Sequence, residues 1–302
     1  MTQRRSAFTL FQLLVVLALL ALLFALFLPA IAKIRLAAAR SQSQNNLKQL
    51  ALACHNYYDA NNVFPPGVDA KHFSTVTYLL PYIEQDNVYK QVDMKKPVTD
   101  KENLAIAATR IKVFINPSDE VQVVDKDFGG TNYLFSAGSQ YDLKDNDGVF
   151  FEKSKIKFPD ITDGTSNTVM IGETLKGSGT VPEKPDVARQ HVLLKKEDLK
   201  NLSDDSGVKD FADKKNLAVD RCKNWMDGRF LQGTFTATRT LNDEKPDVDC
   251  AGYGGLSGLR GINKGVNIAM CDGSVRFVDM GLSLDIWKAL ATRGGGEVIP
   301  NF

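Results

Sequence analysis

Between Phe8 and Ala30 the chain reads FTLFQLLVVLALLALLFALFLPA, with no charge anywhere in it. From Leu13 to Leu28 every residue is apolar, and Thr9 and Gln12 are the polar groups just ahead of that run. A helix rises about 1.5 Å per residue, so about 20 apolar residues cross a hydrocarbon core. The run therefore predicts a transmembrane helix over 8–30. A secretory signal has a shorter apolar region, about 7–15 residues. The small-x-small triplet Ala30-Ile31-Ala32 keeps cleavage by a signal peptidase as the competing reading.

Cations flank the run on both sides: Arg4 and Arg5 before it, Lys33, Arg35 and Arg40 after it. The positive-inside count is thus balanced. The short N-terminus is expected to stay inside. That makes the protein a single-pass protein of the cytoplasmic (inner) membrane, its N-terminus cytoplasmic and its body periplasmic or on the cell surface, with the lipid bilayer as a partner.

The helical pattern does not stop at Ala30. Residues 31–60 are rich in Ala, Leu, Lys, Arg and Gln, which favour helix. Leu47, Leu50, Ala51, Cys54 and Tyr58 recur at the spacing of one helix face. Pro29 is expected to kink the helix without ending it. Asn-Asn-Val-Phe-Pro-Pro-Gly, residues 61–67, ends it. The chain then divides into a basic leader (1–7), the transmembrane helix (8–30), its amphipathic continuation (31–60) and an exported α+β domain (61–302). A charged insertion lies at about 176–223.

Within the body, VNIAMCDGSVRFVD (266–279) alternates about Asp272-Gly273 and reads as a β-hairpin. Val266, Ile268 and Met270 would share one side of it. Turn chemistry accounts for Asp272 without a functional role. ITDGTSNTVMIGE (161–173) reads as a polar turn followed by a strand from Thr168 to Ile171. Near residue 283, Ser283 can cap a short helix with Leu284, Trp287, Leu290 and Ala291 as its stripe and Gly294 at its end. Trp287 is expected as a core anchor. From Glu183 to Lys223 acids and bases mix with few aromatics, which reads as a solvated insertion rather than a nucleic-acid arm.

The first segment resembles the N-terminal motif of type IV pilins and type II secretion pseudopilins. In that family a basic leader ends in Gly before Phe-Thr-Leu, an apolar residue, Glu and a long apolar helix. A prepilin peptidase cuts after the Gly, and the new N-terminus is methylated. Carried over, cleavage and methylation fall at Ala7 and Phe8, and Gln12 takes the assembly position. Two residues depart from the pattern: Ala7 stands for Gly and Gln12 for Glu. Gln12 can hydrogen-bond but cannot neutralise a neighbouring subunit's amine.

The resemblance continues through LKQLALACHNYYDANNVFPPG, YLLPYIEQDNVY, VFINPSDE, TNYLFSAGS, DGVFF, ITDGTSNTVMIGE, NIAMCDGSVRFVD and DIWKALATRGGGEVI, in that order. Together these are similar to a large family of bacterial pilin-like proteins of unknown function (domain of unknown function 1559), sometimes labelled solute-binding-like. Asn116 stands where a Cys is frequent in that family, and Ile262 where a His is frequent. The resemblance implies a type IV pilin-like α+β fold, a long N-terminal helix with a transmembrane first half packed on an antiparallel β-sheet. It implies a pilin-like or pseudopilin-like structural protein whose partners are the prepilin peptidase and other pilin-like subunits. The alternative is a membrane-tethered extracytoplasmic binding module for a solute, glycan or protein.

Signs of catalysis are scarce. HExxH, GxSxG, GxxxxGK[ST] and GxGxxG do not occur, and there are three histidines, His55, His72 and His191. Adjacent residues on a helix diverge, so Cys54-His55 is not a dyad by itself. No enzyme activity and no cofactor is expected. Asp142, Asp145, Asn146 and Asp147 could gather round a calcium ion, but the loop lacks the D-x-[DN]-x-[DN]-G spacing and reads better as a polar turn. A net charge of +1 does not suggest a nucleic-acid partner. The cysteines, Cys54, Cys222, Cys250 and Cys271, are too few for a disulfide scaffold. A Cys222–Cys250 bridge and four buried thiols stand as the two readings.

Overall fold

The computed structural model describes residues 10–184, 186–202, 217–262 and 264–299. They form two compact units, Met1–Ser41 and Gln42–Phe302. Helix α1 runs Leu10–Asn61, and it stays helical through Pro29.

In the first unit the described side chains from Leu10 to Leu20 are all exposed. Among the described residues no helix is long and apolar enough to cross a membrane. The transmembrane assignment of 8–30, the single-pass topology and the inner-membrane location are therefore withdrawn. The fold class is corrected with them, to a mixed α and β fold with two sheets.

The second unit begins inside α1. Its residues Leu47, Leu50, Ala51 and Cys54 are fully buried, as the helical spacing predicts. They pack into the larger core with Phe64, Phe114, Phe135, Phe150, Met170 and Trp225. Short helices follow: α2 (Thr75–Leu79), α3 (Asp86–Tyr89) and α4 (Lys101–Ala107). Asp100 caps α4 by accepting from the Glu102 N–H at 3.0 Å.

Two sheets follow instead of the one antiparallel sheet expected. The first has the order β5-β1-β2-β8-β9, with β1 Tyr133–Gly138, β2 Val169–Glu173, β5 Thr234–Thr236, β8 Gly265–Met270 and β9 Val275–Asp279. The second is β4-β3-β6-β7, with β3 His191–Leu194, β4 Leu217–Ala218, β6 Asp247–Cys250 and β7 Gly255–Leu256. Each holds one parallel pair, β1 with β5 and β3 with β6. Parallel neighbours need long crossovers, and both pairs are joined by long stretches of chain. The stretch read as a solvated insertion contributes β3, whose His191 and Val192 are buried. Its residues 203–216 lie outside the described ones.

The hairpin of β8 and β9 forms as the alternation predicts. Val266, Ile268 and Met270 join a second core with α5 (Leu284–Ala291), while Ala269 and Cys271 join the α1 core. Gly273 alone in its turn has positive φ, +81°, and the Gly273 N–H donates to Met270 O at 2.9 Å. This is a type I turn closed by a left-handed glycine rather than a two-residue turn. Asp272 Oδ1 accepts from the Ser274 N–H at 2.8 Å, a turn-forming role. Ser283 caps α5 by accepting from the Ile286 N–H, and Trp287 is fully buried, stacked on Phe235 with ring centroids 6.0 Å apart. The helix ends at Ala291, three residues before the expected Gly294.

Candidate functional site

Of the expected assembly residues, Gln12 lies on the exposed first turns of α1. Ala7 and Phe8 lie outside the described residues. Pro29 lies within α1.

The most organised polar site sits where α1 meets the first sheet. Glu173, at the end of β2, turns its carboxylate toward α1. The strand's register against β8 shifts between Val169 and Ile171. Oε1 accepts from the backbone and side-chain nitrogens of Asn267 at 2.8 and 2.9 Å. Oε2 accepts from Asn116 Nδ2 at 3.2 Å and from the Ser43 hydroxyl of α1. Tyr133 OH lies 3.0 Å from Ser43 Oγ and accepts from Asn46 Nδ2 at 3.2 Å. Burial pushes the Tyr133 phenol well above its ordinary range, so it stays protonated. One carboxylate thus gathers α1, β2, β8 and the loop at Asn116, and β1 joins through the contact of Tyr133 with Ser43.

A second charged site adjoins it. Asp119 Oδ2 accepts from Asn132 Nδ2 at 2.7 Å and from the Lys176 N–H at 3.0 Å, while Arg189 pairs with Oδ1 at 2.8 Å. Lys176 is fully buried, with Nζ 2.8 Å from Asn132 Oδ1 and 3.8 Å from Asp119 Oδ2. Burial lowers the Lys176 pKa, opposed by the Asp119 charge. A further buried centre joins Arg221 and Arg260 to Asp247. Burial would raise the Asp247 carboxyl, but the two guanidiniums hold it below the usual range. These are positioning devices: Asp119 and Asp247 each draw two cations together inside the fold.

Beside the Glu173 site a groove of about 810 Å³ opens along α1. Asn46 forms part of its wall and is fixed there by donating to Ile115 O at 3.0 Å. Gln49 and Gln85 add amides, Ile83 and Val113 add apolar surface, and Arg110 and Lys112 add positive charge. No acidic side chain lines this groove among the described residues.

His55 is half-buried and its Nε2 lies 2.9 Å from Cys271 O, while Cys54 turns into the core, so the two diverge. The loop from Asp142 to Asp147 folds on itself. Asp147 accepts from the Ser139 N–H and hydroxyl, both at 2.6 Å, and Asp142 from the Lys144 N–H at 2.8 Å. Among the described residues no group of three or more His, Cys, Asp or Glu is placed to hold a metal ion. All four cysteines are free and buried, so the Cys222–Cys250 bridge is corrected to buried thiols. Burial pushes the Cys222 thiol up to about 11 and the Cys250 thiol to about 12.

The residues of the Glu173 site come from the motifs singled out in the sequence: Asn116 from VFINPSDE, Tyr133 from TNYLFSAGS, Glu173 from ITDGTSNTVMIGE and Asn267 from NIAMCDGSVRFVD. Sequence reasoning saw the segments and missed that their polar residues converge. Residues 32–281 match the family described as Protein of unknown function (DUF1559). The chain belongs to that family. No curated protein and no solved structure matches it.

Proposed function

We propose that this DUF1559 protein is a pilin-like structural subunit, whose apolar helix surface is covered by the helices of other pilin-like subunits. The observation that carries this reading is the exposure of α1. Seventeen large apolar side chains between Leu10 and Leu36 are exposed, among them Leu10 at 77%, Phe11 at 74% and Phe24 at 64%. A helix apolar on all sides needs partners on all sides, and each Leu or Phe fully buried contributes about 1.5–3 kcal/mol. A bundle of equivalent helices supplies such cover. Processing by a prepilin peptidase between Ala7 and Phe8 would place Gln12 near the start of the mature helix, where its amide can bond a neighbour. The role is non-catalytic on this reading. Its cysteines are buried and protonated at neutral pH, and the charged groups of the Glu173, Asp119 and Asp247 sites are engaged in holding elements together.

Sedimentation and electron microscopy of the purified full chain test this. Discrete, concentration-dependent oligomers or filaments are expected, and Leu17→Glu with Leu20→Glu should abolish them. A wild-type chain that stays monomeric, or shapeless aggregate unaffected by both substitutions, rejects the reading.

A second reading, a binding module, is favoured by the groove along α1. Amides, two cations and an apolar floor suit an extended ligand with a negative group. Retention of the full chain on an immobilised acidic peptide, lost in Arg110→Ala with Lys112→Ala, would favour it.

A further inference from the structure

A second cavity, of about 350 Å³, lies in the second unit between β3, β6 and the segment 220–232. Five charged residues line it: Asp220, Lys223, Asp227, Arg229 and Asp249. Four of them are matched locally. Lys223 Nζ lies 2.8 Å from Asp220 Oδ2. Arg229 grips Asp227 with two nitrogens, Nη2 at 2.6 Å from Oδ2 and Nε at 3.0 Å from Oδ1. His191, behind Asp220 with Nε2 3.5 Å from Oδ1, carries no charge at neutral pH, because burial pushes its pKa down to about 4.

Asp249 is the residue left over. It is 8% exposed, and it makes no ion pair among the described residues. One oxygen accepts from the Gly252 N–H at 2.6 Å. That bond holds the carboxylate at the tip of β6, where the side chain lines the cavity. Counting the lining charges as −1, +1, −1, +1 and −1 leaves one negative charge. Burying a carboxylate is costly, and although Arg229, already paired with Asp227, also attracts it, burial raises this one to about 7. Leu193 gives the cavity an apolar wall, with the fully buried Phe230 behind the lining.

From this geometry we infer that the cavity binds a small organic ammonium group, with Asp249 as its counter-ion and Leu193 against its carbon chain. A water occupies about 30 Å³ of liquid, so the space suits a ligand of about a dozen non-hydrogen atoms. The two ion pairs at its rim favour a single positive charge, since a second would meet Lys223 or Arg229. The inference is independent of assembly through α1.

The test uses the full chain labelled with nitrogen-15 at about pH 8.5, where Asp249 is ionised and alkylamines are still protonated. n-Butylammonium is titrated against the amide signals of Ala251 and Gly252, with 1-butanol and calcium chloride as parallel titrants. A saturable shift with n-butylammonium alone is expected. Asp249→Asn, nearly the same shape, should weaken it by about tenfold or more, the loss of one charge-assisted contact. The unchanged dispersion of the other β6 amides shows that the variant is folded. If Asp249→Asn is unfolded, Lys223→Gln, which takes a cation from the cavity rim, supplies the second arm, and it should tighten binding. Absence of a saturable shift in the wild type, an equal response to 1-butanol or to calcium, or undiminished binding by folded Asp249→Asn would each overturn the inference.

Discussion

Glu173 and Asn267 are joined twice, through the backbone and the side-chain nitrogens of Asn267 to one carboxylate oxygen at 2.8 and 2.9 Å. The other oxygen is left for Ser43 of α1 and for Asn116. Neighbouring strands and a helix thus share one buried acceptor. Glu173→Ala leaves those donors without a partner and should cost about 2–4 kcal/mol in chemical denaturation. Glu173→Gln keeps one acceptor oxygen and should cost about half as much. Equal, negligible losses in both would show that the carboxylate does not hold α1 to the sheet.

Trp287 carries the second core as Glu173 carries the polar junction. Its indole is fully buried and stacks on Phe235 at an interplanar angle of 9°. Trp287→Ala should cost about 3–5 kcal/mol, and Trp287→Phe clearly less. Thermal unfolding read at the tryptophan-independent far-ultraviolet signal separates the two.

The stripe Leu47, Leu50, Ala51, Cys54, the hairpin about Gly273 and the capped helix holding Trp287 were all legible in the sequence, because each depends on neighbours a few residues apart. The second sheet was not. β3 joins β6 in parallel across a long crossover, and His191 and Val192 sit in a stretch whose mixed charges read as solvated. Periodicity reports which face of one element is apolar, and it carries no information about a partner in another part of the chain. For the same reason the motifs around Asn116, Tyr133, Glu173 and Asn267 were visible singly, while their meeting at one carboxylate was not. The apolar run at the start of the chain was read as a membrane span from its composition. The described helix does not support that, and the exposed side chains pose a packing problem instead.

Because all four cysteines are free and buried, reductant should leave the thermal midpoint of the protein unchanged. A thiol reagent at neutral pH should label none of them quickly in the folded chain and all of them in denaturant. Burial holds Cys222 and Cys250 as thiols, which are poor nucleophiles. A mass two hydrogens lower in the non-reduced protein would reveal a bridge and refute the prediction.

If α1 is an assembly surface, Gln12 is its one polar group before the charges that begin at Lys33. Gln12→Glu supplies the negative charge that a neighbouring amine can pair with, and it should raise the assembled fraction of the full chain in sedimentation, with a salt dependence that the wild type lacks. Reduced assembly in Gln12→Glu would count against an amine at that contact.

His191 and Asp249 should oppose each other as pH changes. Burial pushes His191 down to about 4, so between about pH 4 and 6.5 the unfolded chain holds a proton there that the native chain does not. Stability from this group therefore rises with pH across that window. Burial raises Asp249 to about 7, so between about pH 4 and 7 the native chain holds the extra proton. Stability from this group falls as pH rises through the same window. In the wild type the two slopes offset each other. Asp249→Asn removes the falling arm, and its denaturation free energy should climb by on the order of 1–3 kcal/mol from pH 4 to 6.5. His191→Gln removes the rising arm and should show the opposite slope up to about pH 7. Parallel pH profiles for wild type and both variants would mean that neither group is desolvated as the fold places it.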